Sequence, residues 1–290
     1  MERVASRQNA VVKRFRELAR ASRAVAPVGR AGTHGAGGHA GEILLDGEHL
    51  VQEALACDVP VELAAFSDRL VENVLSPLGR LARDVRARGG RAILVTDQVL
   101  AAISPVQHPS GVVAIGRARA TDVGVVFAAA RAEGPHLPLV IVLAGLQDPG
   151  NVGAIVRAAA AFGAAGVVAI EGTANPFSWK ALRGAMGGTF RLPVAARGTT
   201  PDVIDAAQKQ GLRIVAAVPR GGTPLPRLDF TQPTAIVLGG EGGGVSPAIM
   251  AVAHASVTIP MRAPVESLNV AVAAALVLYE AARHTGAAQA

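Results

Sequence analysis

Three segments of the sequence gather residues that could do chemistry on a bound ligand. LQDPGNVGAIVRAAAAFGA (146–164) runs from a strand pattern through a Pro-Gly turn into a helix pattern, with Asn151 as a natural N-cap and Arg157 six residues on. IVLGGEGGGVSP (236–247) is a strand pattern opening into five glycines around a lone carboxylate, Glu241. VTIPMRAPVESLNVAVAAALVLYEAAR (257–283) is a strand, a proline-bearing loop and a helix entered through Ser267 and Asn269. Glycines at a strand end let backbone N–H and carbonyl groups approach a ligand closely. Each segment alone has a plainer explanation: a permissive turn at 239–244, helix caps at Asn151 and Ser267, a surface arginine at Arg157. Three of them at neighbouring strand ends point to one site.

The elements that must position these residues follow an α/β pattern. In the C-terminal part, from residue 138, strands are expected at 139–144, 166–170, 191–195, 213–218, 234–238 and 255–259, and helices at 151–163, 178–186, 201–210 and 267–284. Alternation of this kind implies a mostly parallel sheet with ligands near the carboxyl ends of its strands. A smaller α/β domain precedes it at 42–117, with strands at 43–45, 61–66, 92–95 and 112–115 and helices at 48–56, 71–88 and 99–103. Residues 118–137 read as a linker. Residues 29–41 hold six glycines in thirteen positions and mark a flexible linker after an N-terminal arm, so that 1–41 forms an arm and linker together.

Composition narrows the function. The chain has 290 residues, 50% of them hydrophobic and only 3% aromatic, which is enough to bury a substantial core. The single cysteine, Cys57, excludes an internal disulfide framework and cysteine-based zinc sites, and the seven scattered histidines offer no metal-ligand spacing. The longest apolar runs are too short to span a bilayer, and no secretory signal opens the sequence, so a soluble intracellular protein is expected. Lys and Arg number 28 against 22 Asp and Glu, a net charge of +6. Eight of those cations and only Glu2 and Glu17 fall in residues 1–30, so this segment carries the whole surplus. Val12, Phe15 and Leu18 recur in it at helical spacing, which reads as a basic amphipathic helix able to contact nucleic acid or simply solvated; Arg7, Lys13, Arg14 and Arg16 are its candidate RNA contacts. G-x-G-x-x-G and G-x-x-x-x-G-K-[ST] are both absent, which disfavours a nicotinamide-dependent enzyme or a P-loop protein.

The three segments together resemble the SpoU (TrmH) RNA 2′-O-ribose methyltransferases of the SPOUT superfamily. Asn151, Ala154, Ile155 and Arg157 match the first family motif, and Gly239, Glu241, Gly242 and Gly244 the second. Ile259, Pro260, Met261, Ser267, Leu268 and Asn269 match the third, in order and at family spacing over 138–284. SRQNAVVKRFREL and the segment 41–54 are similar, less specifically, to the family's substrate-binding domain. Two features depart from the pattern: Gly240 stands where many members carry asparagine, and the 29–41 insertion is longer than usual.

The resemblance implies an α/β fold whose C-terminal methyltransferase domain, at 138–290, threads a deep trefoil knot, beside a small N-terminal α/β RNA-binding domain. It implies S-adenosylmethionine as cofactor, held at Gly239, Ile259, Met261 and Leu268, and a cytoplasmic homodimer with the active site at the subunit interface. Arg157 is then the central catalytic residue, with Asn151, Ser267 and Asn269 orienting groups and Glu241 in a lesser role; no metal or membrane takes part. The implied reaction is methylation of a ribose 2′-hydroxyl in structured RNA. Ribosomal RNA, and 23S in particular, is favoured because the extra N-terminal domain resembles that of ribosomal RNA enzymes. The alternatives are a transfer RNA 2′-O-methyltransferase and a non-catalytic RNA- or ribosome-binding protein on the same scaffold.

Overall fold

The structure, a computed structural model, describes residues 1–21, 41–69, 76–240 and 242–286. The chain divides into two compact units. The first holds β1 (Glu2–Val4), α1 (Ala10–Ala21), β2 (Glu42–Asp46), α2 (Glu48–Ala56), β3 (Val61–Ser67), α3 (Pro77–Ala87), β4 (Arg91–Val95), α4 (Asp97–Ile103) and β5 (Val112–Arg117). Its sheet runs in the order β1-β4-β3-β5-β2, parallel from β1 to β3 and antiparallel at β5 and β2. Alternate side chains serve opposite faces, as the period of a strand requires. Ile43 and Leu45 join the core under α2 and α3, while Leu44 joins the core under α1 and α4.

The second unit holds α5 (Val123–Ala129), β6 (Leu137–Ala144), α6 (Pro149–Ala161), β7 (Ala164–Ile170), β8 (Val194–Gly198), α8 (Thr200–Gln210), β9 (Arg213–Ala217), β10 (Thr223–Pro224), β11 (Thr234–Gly239), α9 (Pro247–Val252), β12 (Ala255–Thr258) and α10 (Val270–His284). Seven strands pair in parallel throughout, in the order β10-β12-β9-β11-β6-β7-β8. Central strands are buried on both faces, so β6 and β7 read as continuous apolar runs rather than alternating ones. Helices α5, α8 and α9 cover one face. On α6 and α10, Val152, Ile155, Val156, Ala274, Val277 and Leu278 are buried.

Four features differ from the sequence expectation. The first 21 residues are built into the first unit rather than set apart from it: β1 extends the sheet at β4, and Val4, Val12, Phe15 and Leu18 are buried in its core. The expected linker 118–137 contains α5, because Val126, Phe127 and Ala130 form a small apolar face that packs on the second sheet's core. Residues 177–190, inside the expected C-terminal domain, belong to the first unit. There α7 (Trp179–Ala185) lies along edge strand β2, with Leu182 fully buried in that unit's core. Covering an edge strand in this way shields a row of groups that would otherwise invite pairing. Finally, α6 is capped by Asp148 rather than Asn151: the Asp148 carboxylate accepts the Gly150 N–H at 3.0 Å and Pro149 fills the first helical position. The start of the helix expected over 71–88, and the linker 29–40, lie outside the described residues.

Candidate active site

In the second unit the strands spread from β6, with β7 and β8 to one side and β11, β9, β12 and β10 to the other. The order therefore reverses between β6 and β11, where open parallel sheets hold their ligands. β11 ends there at Gly239 and the chain turns back at once. The Gly244 N–H donates to the Gly240 carbonyl at 3.1 Å, and these two residues form an antiparallel bridge. A Cβ on Gly239 would stand 2.1 Å from the Gly244 carbonyl carbon, and one on Gly240 would stand 2.3 Å from the Gly145 carbonyl oxygen at the end of β6. Hydrogen is the only substituent that fits at either place. Glu241 itself lies outside the described residues.

Beside this loop opens a cavity of about 670 Å³, within the range of ordinary small-molecule sites. Gly239, Ile259, Met261, Ser267, Leu268 and Asn269 all line it, which brings the glycine segment and the proline-bearing segment to one place. Leu238, Val257, Ala273 and Val277 supply further apolar wall, and Gly240, Gly242 and Gly244 expose backbone in place of side chains. An apolar wall facing bare backbone suits a ligand with a flat ring system and polar ends. That lining fits S-adenosylmethionine, and no acidic or histidine cluster able to hold a metal occurs among the described residues.

Asn151 and Arg157 do not line the cavity. Asn151 instead accepts, at 3.2 Å, a hydrogen bond from the Asn269 amide. Asn269 caps α10, its Oδ1 accepting the N–H groups of Ala271 at 2.9 Å and Val272 at 3.3 Å. One asparagine pair thus ties the starts of α6 and α10, and the Phe162 and Tyr279 rings meet edge to face at 6.0 Å farther along. Arg157 lies on the exposed side of α6 with no ion-pair partner among the described residues. Val272, Leu276 and Tyr279, one to two turns apart on α10, are also exposed.

Of the four cations expected to meet RNA, Arg14 is otherwise engaged. Its guanidinium donates to Glu42 at 2.6 Å and to Glu62 at 2.7 Å, and Glu62 also pairs with Arg117. Position 14 falls on the flank of the buried stripe formed by Val12, Phe15 and Leu18, which turns the side chain toward the sheet. Hydrogen bonding from Arg14 holds the Glu62 carboxyl below its usual range. Arg7, Lys13 and Arg16 remain exposed, Lys13 in a loose 3.9 Å pair with Glu17.

Sequence reasoning missed the wall supplied by Ala217 at the end of β9 and by Val218 and Pro219 just beyond it. The signal the sequence offered was a strand pattern ending in proline, since ligands of a parallel sheet lie near the carboxyl ends of its strands.

Comparison with known proteins follows the same division. The SpoU rRNA Methylase family model matches residues 138–279, and the MRM3-like substrate binding domain matches residues 38–114. An uncharacterized tRNA/rRNA methyltransferase of Synechocystis is 35% identical over 285 residues, covering 98% of this chain and 95% of that protein. The 23S rRNA (guanosine(2553)-2′-O)-methyltransferase RlmP of Bacillus subtilis is 30% identical over 236 residues, covering 81% of this chain and 86% of RlmP. The crystal structure of an AdoMet-bound rRNA methyltransferase from Sinorhizobium meliloti matches with a TM-score of 0.78 at 27% identity, over 98% of both chains. Likeness that runs the length of the chain, through both domains and all three motifs, places it in the SpoU rRNA methylase family, the S-adenosylmethionine-dependent RNA 2′-O-methyltransferases of the knotted SPOUT fold.

Proposed function

We propose that this chain is a cytoplasmic homodimer that methylates a ribose 2′-hydroxyl of ribosomal RNA, with 23S RNA as the favoured substrate. The observation that carries the reading is the convergence of Gly239, Ile259, Met261, Ser267, Leu268 and Asn269 on one cavity at the reversal of strand order. The likeness to RlmP and the substrate-binding domain at 38–114 support ribosomal RNA over transfer RNA.

S-adenosylmethionine supplies an activated methyl group when bound, and the remaining work is the protein's. Gly239, Ile259, Met261 and Leu268 hold the cofactor, chiefly through backbone and apolar contact. Arg157 acts on the RNA. A guanidinium stays protonated to about pH 12, which makes it a poor base but a good clamp for the phosphate beside the target ribose and for negative charge developing on its oxygen. Ser267 and Asn269 orient the hydroxyl, and the Asn151 amide fixes the Asn269 rotamer. Glu241 is a supporting group in the glycine loop. Arg7, Lys13 and Arg16 add phosphate contacts from the first domain.

The homodimer accounts for two features of the second unit. Arg157 is exposed yet lies away from the cavity lining, and the α10 stripe of Val272, Leu276 and Tyr279 is exposed yet apolar. A second copy docked on α6 and α10 buries that stripe and brings an Arg157 toward a neighbouring site. The test is to map ribose methylation in total RNA with and without the gene, alongside calorimetry with S-adenosylmethionine. The expected outcome is one 23S position that loses its methyl group, and cofactor binding in the micromolar range, about −8 kcal/mol. Loss confined to transfer RNA would refute the ribosomal substrate, and absence of cofactor binding would refute the reading of the cavity.

A further inference from the structure

A single hydroxyl clips both ends of one wall of the cavity. After β9 the chain makes a tight excursion over residues 218–222 before pairing with β12 through β10. Val218 and Pro219 of this excursion line the cavity, as do Val257 and Ile259 on either side of Thr258. The Thr258 Oγ1 donates to the Val218 carbonyl at 2.8 Å and accepts the Gly222 N–H at 3.1 Å, so it closes both ends of the excursion. The Val218 N–H adds a bond to the Val257 carbonyl at 2.9 Å. At the other end a Cβ on Gly222 would stand 2.8 Å from the Val257 carbonyl carbon, so only glycine lets the two strands approach this closely. At the tip, Arg220 meets Glu266 of the opposite rim at 3.5 Å, with both side chains more than 70% exposed. An exposed pair of that kind contributes little, which leaves the Thr258 clip as the side-chain restraint on the wall, beside the Val218 backbone bond and the β10–β12 pairing.

We infer that Thr258 is a positioning residue for the cofactor: its hydroxyl sets the distance between the 218–222 wall and the Val257–Ile259 wall, and thereby the affinity for S-adenosylmethionine. The inference rests on the reading of this cavity as the cofactor site. A valine at 258 keeps the shape of threonine but leaves a carbonyl and an N–H to find water, which draws the excursion outward.

The test is steady-state and calorimetric comparison of the full-length enzyme with Thr258→Val, Thr258→Ser and Gly222→Ala. Thr258→Val is expected to raise the KM for S-adenosylmethionine, and the Kd for S-adenosylhomocysteine, about tenfold with kcat within about twofold. The KM for RNA is expected to stay unchanged, because no residue assigned to RNA lies on either of the two walls. Thr258→Ser restores both constants, since serine keeps the hydroxyl. Gly222→Ala reproduces the Thr258→Val effect from the other partner, because its new Cβ forces the same separation. A merely structural role lowers the active fraction, and so kcat, without moving KM. Unchanged constants in Thr258→Val and Gly222→Ala overturn the inference, as does a Thr258→Ser variant as impaired as the valine. Ala273→Leu, which fills the same cavity from α10, serves as the separate control. If that variant binds cofactor normally, the cavity assignment itself fails.

Discussion

Removing residues 1–30 is expected to unfold the first domain rather than trim a basic arm from it. Val4, Val12, Phe15 and Leu18 are between 0% and 4% exposed, and all four belong to one core with Leu63, Ile93 and Ile115. Burying a side chain of that size contributes about 1.5–3 kcal/mol, so the four together approach about 6–12 kcal/mol as an upper bound. That is comparable to the whole net stability of a typical domain, about 5–15 kcal/mol. The truncation also strips β1 from β4. A milder perturbation isolates the same term: Phe15→Ala is expected to cost about 3–5 kcal/mol. Substituting glutamine at Arg7, Lys13 and Arg16 together, all exposed, should cost about 0.5 kcal/mol or less at each site. Trp179, the one tryptophan in the chain, packs against this core, so its emission during urea unfolding reports on this domain directly. RNA binding then separates charge from structure. The glutamine triple variant should keep the urea midpoint while the slope of log K against log salt falls by about 2–3, at roughly 0.7–0.9 per phosphate contact. A chain beginning at residue 31 with native Trp179 emission and an unchanged midpoint would refute this reasoning.

Arg157→Ala is expected to lower single-turnover methylation by about 10²–10³ while calorimetry shows unchanged cofactor affinity, because the side chain lies outside the cavity lining. Arg14→Met is expected to weaken the acid limb of stability. Arg14 holds the Glu62 carboxyl below its ordinary value near 4.5, so this contribution is complete above that pH and is lost as pH falls through the depressed folded value. Melting temperatures from pH 7 down to pH 3 should therefore fall less steeply in Arg14→Met, and parallel curves would show that the pair contributes nothing. Leu276→Asp places a charge in the exposed apolar stripe of α10 and should convert the proposed dimer to monomer in sedimentation analysis; an unaltered dimer would move the interface elsewhere.

Much of the fold was legible because the buried strands and helices carry long, clean periodicity. Strands β6, β7 and β11 read as apolar runs, and α8 carries the Thr199 and Asp202 capping box at its start. The failures share a cause, which is that burial against a distant element leaves little local trace. α5 has seven residues and no side-chain cap bond, so VGVVFAA after a polar stretch looks like linker. α7 carries its own N-cap at Ser178, and the helix itself was visible, but nothing local reveals that Leu182 packs beside β2. At the N-terminus the count of cations outweighed the stripe of Val12, Phe15 and Leu18, although such a stripe has to be buried somewhere. The cavity walls at 239–244 and 259–269 were visible as motifs; the walls closed by Thr258 were not, because a threonine in a strand pattern looks like any other β-branched residue.

The departure at Gly240 has a physical reason that appears only in three dimensions. The family resemblance leads one to expect asparagine there, yet any Cβ at this position would meet the Gly145 carbonyl oxygen. Gly145 is fixed in turn: its φ is +74°, and the Thr173 hydroxyl accepts its N–H at 3.0 Å while donating to the Leu143 carbonyl at 2.8 Å. The end of β6 is thus pinned by the Thr173 hydroxyl, from the turn after β7. Contact between β6 and β11 is made backbone to backbone, and no amide side chain can stand between them. The amide that lines the cavity is instead that of Asn269, held by Asn151 from α6. In this chain the close approach of two strands decides which motif side chain can line the cavity.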